Sequence, residues 1–345
     1  MRLSEMEDIT SRMKKLIGLI VSLFLLTSIL AGCAGIPAGS GAIATPETKV
    51  ETGVAAAAWP RTIKDSLGKQ ITLEKKNKRV AILDFGFMES MLALETPPLA
   101  STYAERSLKG FRTLQPYATS TQIEELGEGK APNLEKLAEL APDLILQTAE
   151  AEHLDMKLYE RASQIAPVVT FNSSDWKKQL RNFAECLGEE PKAEAYIASI
   201  EELLIESRKK LSGYNDKTVA LLFERSGSKG NFVITGSAEN PVWFDKETGL
   251  GLTLPDGYPR KGEAVSLEGL AAMNPDYIFL FGSLGSEANQ YKQSYLSEKT
   301  QASSVWQSLS AVKNGHVYYL DAAVRAAGPL SIKLGIETIV ENMTK

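Results

Sequence analysis

Apolar residues recur along this chain in two rhythms. Short, nearly continuous runs lie at Arg79–Phe85, Asp143–Gln147, Pro167–Phe171, Thr218–Phe223, Asp276–Phe281 and Val317–Leu320. Runs of that length predict parallel strands covered on both faces. Amphipathic segments stand between most of them, at Leu134–Leu140, Lys157–Ile165 and Leu267–Met273. Strand alternating with helix predicts an α/β architecture. A separate hairpin is expected over Thr62–Leu73, turning at Asp65-Ser66-Leu67-Gly68. Mid-chain, Ile197, Ile200, Leu204 and Leu211 fall on one helical face, with Pro191 suited to the first turn and Gly213 to the stop. Such a helix is roughly 30 Å long at about 1.5 Å per residue. It would join two lobes side by side, or serve as an ordinary crossover inside one domain.

One stretch of pattern occurs twice. Asn133-Leu134-Glu135-Lys136-Leu137-Ala138-Glu139-Leu140-Ala141-Pro142-Asp143 matches Ser266-Leu267-Glu268-Gly269-Leu270-Ala271-Ala272-Met273-Asn274-Pro275-Asp276 at a constant offset. Each copy offers an N-cap residue, a short helix, a break at Pro-Asp and a strand. The copies flank the long helix, which predicts two lobes of similar design. Glu135 and Glu268 take matching places in the first turn. There a carboxylate gains roughly 0.3–1 kcal/mol from the helix dipole; alternatively, both project from one edge toward a shared partner.

The N-terminus has a different character. Lys14 and Lys15 precede an apolar run from Leu16 to Leu30 that ends in Leu30-Ala31-Gly32-Cys33. The run is shorter than the roughly 20 residues that span a bilayer, and a basic n-region before a short apolar core reads as an export signal. The ending resembles a bacterial lipobox, in which Cys33 would carry lipid and begin the mature chain; two or more acyl chains anchor stably. Glu5, Glu7 and Asp8 suit an n-region poorly, whereas a start at Met13 would open on Met-Lys-Lys. Residues 34–58, rich in Ala, Gly, Thr and Pro, read as a flexible tether.

The 345-residue chain has 38 Lys and Arg against 43 Asp and Glu, a net charge of −5. That mild acidity gives no general attraction to nucleic acid. Of two cysteines, lipidation of Cys33 would leave Cys186 without a partner, so no internal disulfide is expected. The expected divisions are signal 1–32, tether 33–58, N-terminal lobe 59–188, connecting helix 189–213 and C-terminal lobe 214–345.

Several segments together resemble the substrate-binding proteins of ABC importers, in the class that carries iron-siderophores, haem or cobalamin. Arg61–Leu73 with Lys78–Leu83 looks like the family's opening hairpin and first strand. The two Leu-Glu-x-Leu-Ala…Pro-Asp segments look like its paired lobe motifs. Trp306-Gln307-Ser308-Leu309-Ser310-Ala311-Val312-Lys313-Asn314-Gly315-His316-Val317-Tyr318 is similar to its W-x-x-L-x-A-V-x-x-G-x-V-Y segment. The resemblance covers about residues 60–342. It implies two Rossmann-like lobes with mostly parallel sheets, one rigid connecting helix and a ligand cleft between the lobes. It also implies that Glu135 and Glu268 dock onto arginines of a permease dimer; the chain is expected to be a monomer, exported and held by the Cys33 lipid on the outer face of the cytoplasmic membrane. The departure is at Val324, near which related proteins often carry Trp.

Ligands of open α/β sheets bind beyond the carboxyl ends of the strands. The residues expected there are Phe85, Tyr103 and Arg106 in the first lobe, and Arg225, Trp243, Tyr258 and Arg325 in the second. The arginines suit carboxylate or catecholate oxygens, because a guanidinium donates bidentate hydrogen bonds. The arginines also have an ordinary reading as solubilising residues, and Phe85 and Tyr258 as core aromatics; Tyr103 and Trp243 are the aromatics expected to face a ligand. His153 and His316 are the only histidines, too few for a bare zinc or manganese site of the usual donor set. No protein metal site or cofactor is therefore expected, and the cargo expected is an Fe(III) chelate. A ferric siderophore of citrate or catecholate type comes first, and cobalamin or haem second. No G-x-S-x-G, H-E-x-x-H or phosphate loop is present, and Gly127-Glu128-Gly129-Lys130 is followed by Ala131, so catalysis is not expected. A structural lipoprotein is the remaining alternative.

Overall fold

The computed structural model describes residues 58–149, 154–172, 175–225, 231–284 and 291–345. The signal, Cys33, the tether up to residue 57 and His153 lie outside the described residues. Strands β1 (Arg61–Lys64) and β2 (Gln70–Leu73) form the hairpin. The first lobe then alternates β3 (Val80–Ile82), α1 (Met88–Ala93), β4 (Ala100–Ser101), α2 (Ala104–Gly110), β5 (Glu124–Glu125), α3 (Leu134–Glu139), β6 (Leu144–Thr148), α4 (Met156–Ala162), β7 (Val168–Phe171) and α5 (Trp176–Leu187). Its sheet runs β5-β4-β3-β6-β7, parallel throughout. All residues of β6 and β7 are buried, as continuous apolar runs require when helices cover both faces.

Gly188, at φ 65°, ends α5 in the left-handed conformation that favours glycine. Helix α6 (Glu190–Leu211) follows, with Pro191 in its first turn. Ile197 packs in the core of the first lobe, whereas Ile200, Leu204 and Leu211 pack in that of the second. The helix therefore changes cores within one turn and serves both.

The second lobe contains β8 (Val219–Glu224), β9 (Asn231–Ile234), α7 (Pro241–Phe244), β10 (Glu263–Ser266), α8 (Leu267–Met273), β11 (Tyr277–Phe281), β12 (Ser283–Leu284), β13 (Gln293–Ser294), α9 (Glu298–Gln301), α10 (Ser304–Ser308), α11 (Ser310–Lys313), β14 (Val317–Leu320) and α12 (Pro329–Met343). Its sheet runs β10-β9-β8-β11-β14, with β9 antiparallel to both neighbours. The β9 and β10 pair lies outside the continuous apolar runs, because β10 is largely exposed. Strands β12 and β13 form a separate hairpin. Helix α12 packs its Ile332, Ile336 and Ile339 into the second lobe while Leu330, at its start, reaches the first.

The repeated segment has a physical cause. Asn133 Oδ1 accepts from Lys136 N (2.9 Å) and Ser266 Oγ from Gly269 N (3.1 Å), capping α3 and α8. Each helix is followed by a left-handed residue, Ala141 (φ 45°) or Asn274 (φ 41°). The aspartate after each proline then receives backbone donors at the head of its lobe's central strand. Asp143 accepts from Lys78 N and Arg79 N, both at 3.2 Å. Asp276 accepts from Thr218 N (2.8 Å) and Thr218 Oγ1 (2.9 Å).

Candidate ligand cleft

Loops beyond the strand ends of the two lobes approach each other and form the cleft. On the first lobe, Asp84 Oδ1 accepts from Gly86 N (2.9 Å) and turns the chain into a 3₁₀ turn at Phe85–Phe87. Half-buried Phe85 meets Tyr103 edge-on, with centroids 5.8 Å apart, and stacks on Phe111 at 6.1 Å. Tyr103 holds a left-handed backbone (φ 50°) at the start of α2, a costly conformation for a non-glycine residue that often marks functional sites. The Arg106 guanidinium lies 6.0 Å from the Tyr103 ring. This wall is aromatic with one cation beside it.

The second lobe offers a hollow of about 260 Å³ at the ends of β8 and β11, lined by Phe223, Phe281, Trp243, Glu239, Val324 and Arg325. Arg325 stands in a 3₁₀ turn at Ala322–Ala326. Its guanidinium carbon lies 3.6 Å from the Phe223 ring centroid, and Nη1 is 3.3 Å from Ser283 Oγ. The ring excludes water from one side and lowers the guanidinium pKa from its ordinary value. Arg325 keeps its charge, held in place before any ligand arrives. Glu239 Oε2 accepts from Gly262 N (2.8 Å), which shapes the far side.

The expected residues divide accordingly. Phe85, Tyr103 and Arg106 come together on one wall, and Arg325 and Trp243 line the other. Trp243 is only 2% exposed, so its indole backs the hollow beside Val324 and is no open platform. Tyr258 is turned away from the hollow: its hydroxyl is 3.4 Å from both Leu221 N and O, and its ring packs on Phe244 at 5.5 Å. Burial there raises the phenol pKa. Arg225 is exposed just past β8 and does not contribute to the lining. Phe111 and Phe223 were missed. Phe223 closes an apolar run that reads as strand, and Phe111 follows a helix with no apolar stripe to announce it.

His316 lies at the opposite end of the sheet, stacked on Tyr277 at 4.3 Å. Among the described residues no group of three or more His, Cys, Asp or Glu could hold a metal ion. A larger hollow of about 390 Å³, lined by Arg208, Lys217 and Lys246 among others, lies where α6 ends, near the starts of the strands. It is remote from the cleft. Glu135 and Glu268 are both exposed, each in the first turn after an edge strand and at the cleft end of its lobe.

Residues 95–324, more than half of the chain, match the family described as periplasmic binding protein. An iron-uptake system-binding protein of Bacillus subtilis is 32% identical over 201 residues, 57% of this chain and 61% of that protein. A probable siderophore-binding lipoprotein of the same organism is 24% identical over 90% of this chain and 92% of its own length. The triscatecholate siderophore-binding protein of Bacillus subtilis, solved with ferri-bacillibactin, superposes with a TM-score of 0.63 at 26% identity. That match covers 82% of this chain and 98% of the other. The fold, the paired lobe motif and these matches agree: the chain belongs to the periplasmic binding protein family.

Proposed function

We propose that this protein captures a ferric siderophore outside the cytoplasm and delivers it to an ABC importer. The observation that carries the reading is the pairing of unlike walls across one cleft. Phe85, Tyr103 and Phe111 offer ring surface to the organic shell of a chelate. Arg325, fixed on Phe223, offers a preplaced cation to its oxygens. A chelated iron needs no ligand from the protein, because the chelator already fills its coordination sphere. Both walls supply binding surface, so the role we propose is capture and delivery. The names of the iron-uptake and siderophore-binding relatives support the same class of cargo. The anionic citrate or catecholate type follows from Arg106 and Arg325. The reading is completed by a lipid on Cys33 and by Glu135 and Glu268 engaging one permease subunit each, as one monomer meets a two-fold partner.

Trp243 lines the hollow, so intrinsic fluorescence reports occupancy. The protein is titrated with ferric citrate, a ferric catecholate, a ferric hydroxamate, haem and cobalamin. Saturable quenching by a ferric chelate, absent with the iron-free chelator and lost in Trp243→Phe, is the expected result. A response to haem or cobalamin alone would discard the iron reading. Silence across the panel would discard capture of this class of ligand.

A further inference from the structure

We infer that the width of the cleft is set by a clasp built from both lobes, with Gly110 and Leu284 as its stop and Gln293 and Asp321 as its fastening. The inference rests on the proposed ligand reading only for what the width selects.

Gly110 is the last residue of α2 and is buried. A Cβ at this position would lie 2.9 Å from both methyl carbons of Leu284 in the other lobe. That separation is closer than a Cβ tolerates, so glycine permits the approach with Leu284 undisturbed. A larger residue must displace the Leu284 side chain, and with it the contact that seats the hairpin on α2. Leu284 on β12 pairs with Gln293 on β13, so the stop and the fastening share one cross-strand pair.

The Gln293 amide has every hydrogen-bonding position filled. Nε2 donates to Gly110 O (3.2 Å) and to Asp321 Oδ2 (2.5 Å). Oε1 accepts from Ala322 N (2.9 Å) and from the Tyr295 hydroxyl (3.1 Å). Two donors and two acceptors are all an amide has, so its orientation is fixed. Gly282 makes room for it, since a Cβ there would stand 2.4 Å from Gln293 Oε1. Asp321 Oδ1 accepts from Ala323 N (2.9 Å), while Oδ2 also accepts from Arg112 N (3.4 Å) of the first lobe. Gly110 O belongs to the carbonyls that the last turn of α2 leaves unsatisfied, and the second lobe supplies its donor. Further out, the Tyr291 hydroxyl donates to Glu105 Oε1 (3.0 Å).

The clasp residues sit directly against the two walls. Phe111, which stacks on Phe85, follows Gly110. Asp321 caps the turn that carries Arg325. The clasp thereby fixes the distance between the aromatic wall and the cation. On the ferric-chelate reading, a bulkier complex has to work against the clasp to enter, and a more compact one does not. Gly110, Leu284, Gln293 and Asp321 are thus size-selecting residues, although none need touch the ligand.

The test is ligand-free at its first step. Spin labels are placed at Lys157→Cys on α4 and Lys299→Cys on α9, both exposed. The background is Cys33→Ser, and Cys186 is buried. Pulsed dipolar spectroscopy then compares the parent with Gly110→Val and Gln293→Ala. The valine is expected to lengthen the mean inter-lobe distance by an ångström or more, and the alanine to broaden its distribution. Gln293→Ala removes bonds without adding bulk, so it decides the matter if the valine variant fails to fold. Parent-like distributions in both would overturn the clasp. The second step measures affinity for ferric citrate and for a ferric tris-catecholate. Loosening is expected to shift the ratio several-fold toward the bulkier complex. An unchanged ratio on a wider cleft would overturn size selection. A parent that binds neither probe would instead refute the ferric-chelate reading, while the distance result would still decide the clasp.

Discussion

The two lobes share a frame and differ in what they present. In both, a capped helix, a left-handed residue and an aspartate lock the edge of the lobe to its central strand. In the first lobe the outer edge strand β7 is covered by the hairpin, with Ser66 N donating to Thr170 O (2.9 Å) and Thr170 Oγ1 to Asp65 Oδ2 (2.7 Å). In the second, β14 ends the sheet, Tyr319 is 53% exposed, and the Tyr295 ring packs against it at 4.7 Å. The cleft walls differ more: rings on one side, a hollow with a clamped arginine on the other. What repeats is the part that would face a two-fold partner, and what differs is the part that would face an asymmetric ligand.

The comparison breaks most visibly if the repeated glutamates are removed. In Glu135→Ala with Glu268→Ala, uptake of radio-iron chelate by intact cells is expected to fall to background while ligand affinity is unchanged. Either single change should reduce uptake by a similar amount, because the two positions are equivalent. Uptake that survives the double change would leave the dipole of each helix as the sole role of these carboxylates.

The unlike walls predict unlike losses. Arg325→Ala should weaken binding of an anionic ferric chelate by about 10- to 100-fold, the equivalent of roughly 1.5–3 kcal/mol for a hydrogen bond to a charged group. Tyr103→Ala removes a ring contact worth about 0.5–1.5 kcal/mol and should cost less. Fluorescence titration of both variants checks the order. A hydroxamate complex bound better than citrate by the parent, and indifferent to Arg325, would remove the charge argument.

Within the shared frame the second lobe is the more tightly pinned. Asp276 accepts two bonds at 2.8 and 2.9 Å, while Asp143 accepts two at 3.2 Å. Alanine at Asp276 leaves the half-buried Thr218 donors unmet, at about 1–3 kcal/mol, whereas the Lys78 and Arg79 amides beside Asp143 are exposed and can turn to water. Urea unfolding should show the larger loss for Asp276→Ala. Equal losses would mean that the geometric difference has no energetic weight.

The alternation of buried runs was legible because parallel strands are covered on both faces, and the run at Val317–Leu320 coincides with β14. The antiparallel β9 and β10 were not, since β10 is mostly solvated and shows no apolar run. The arginine and aromatic content of the cleft could be guessed from the rule of strand ends. Its division into walls could not, because Tyr258 and Trp243 leave the same loop-rich stretch in different directions. The clasp left no trace in pattern, since glycine, glutamine and aspartate become a unit only when two distant loops meet.

Glu89 is where the lobes are joined and not merely alike. It stands on α1 of the first lobe, 5% exposed. Its Oε1 accepts from the Thr113 hydroxyl (2.6 Å), and Oε2 accepts from Ser331 N (2.8 Å) in the first turn of α12. The N-cap of α12 is Gly328, which has no side chain to offer, and a Cβ there would lie 2.4 Å from Glu89 Oε2. One lobe thus caps the helix of the other. Burial pushes the Glu89 pKa above its ordinary value; the hydrogen bonds from Thr113 and Ser331 oppose this, and Asp321 reinforces it. The folded state then binds more protons than the unfolded state at pH values between the ordinary carboxylate pKa of about 4.3 and the raised one. Stability from this group is full below the ordinary value and is lost as pH rises through the raised one. Glu89→Gln keeps an oxygen for Ser331 N and an amide for the Thr113 hydroxyl, but never ionises. Its stability relative to the parent should be greatest near neutral pH and should shrink on acidification. Urea midpoints across that range give the sign directly. An advantage that grows on acidification would show that the helix N-terminus stabilises the anion more than burial penalises it.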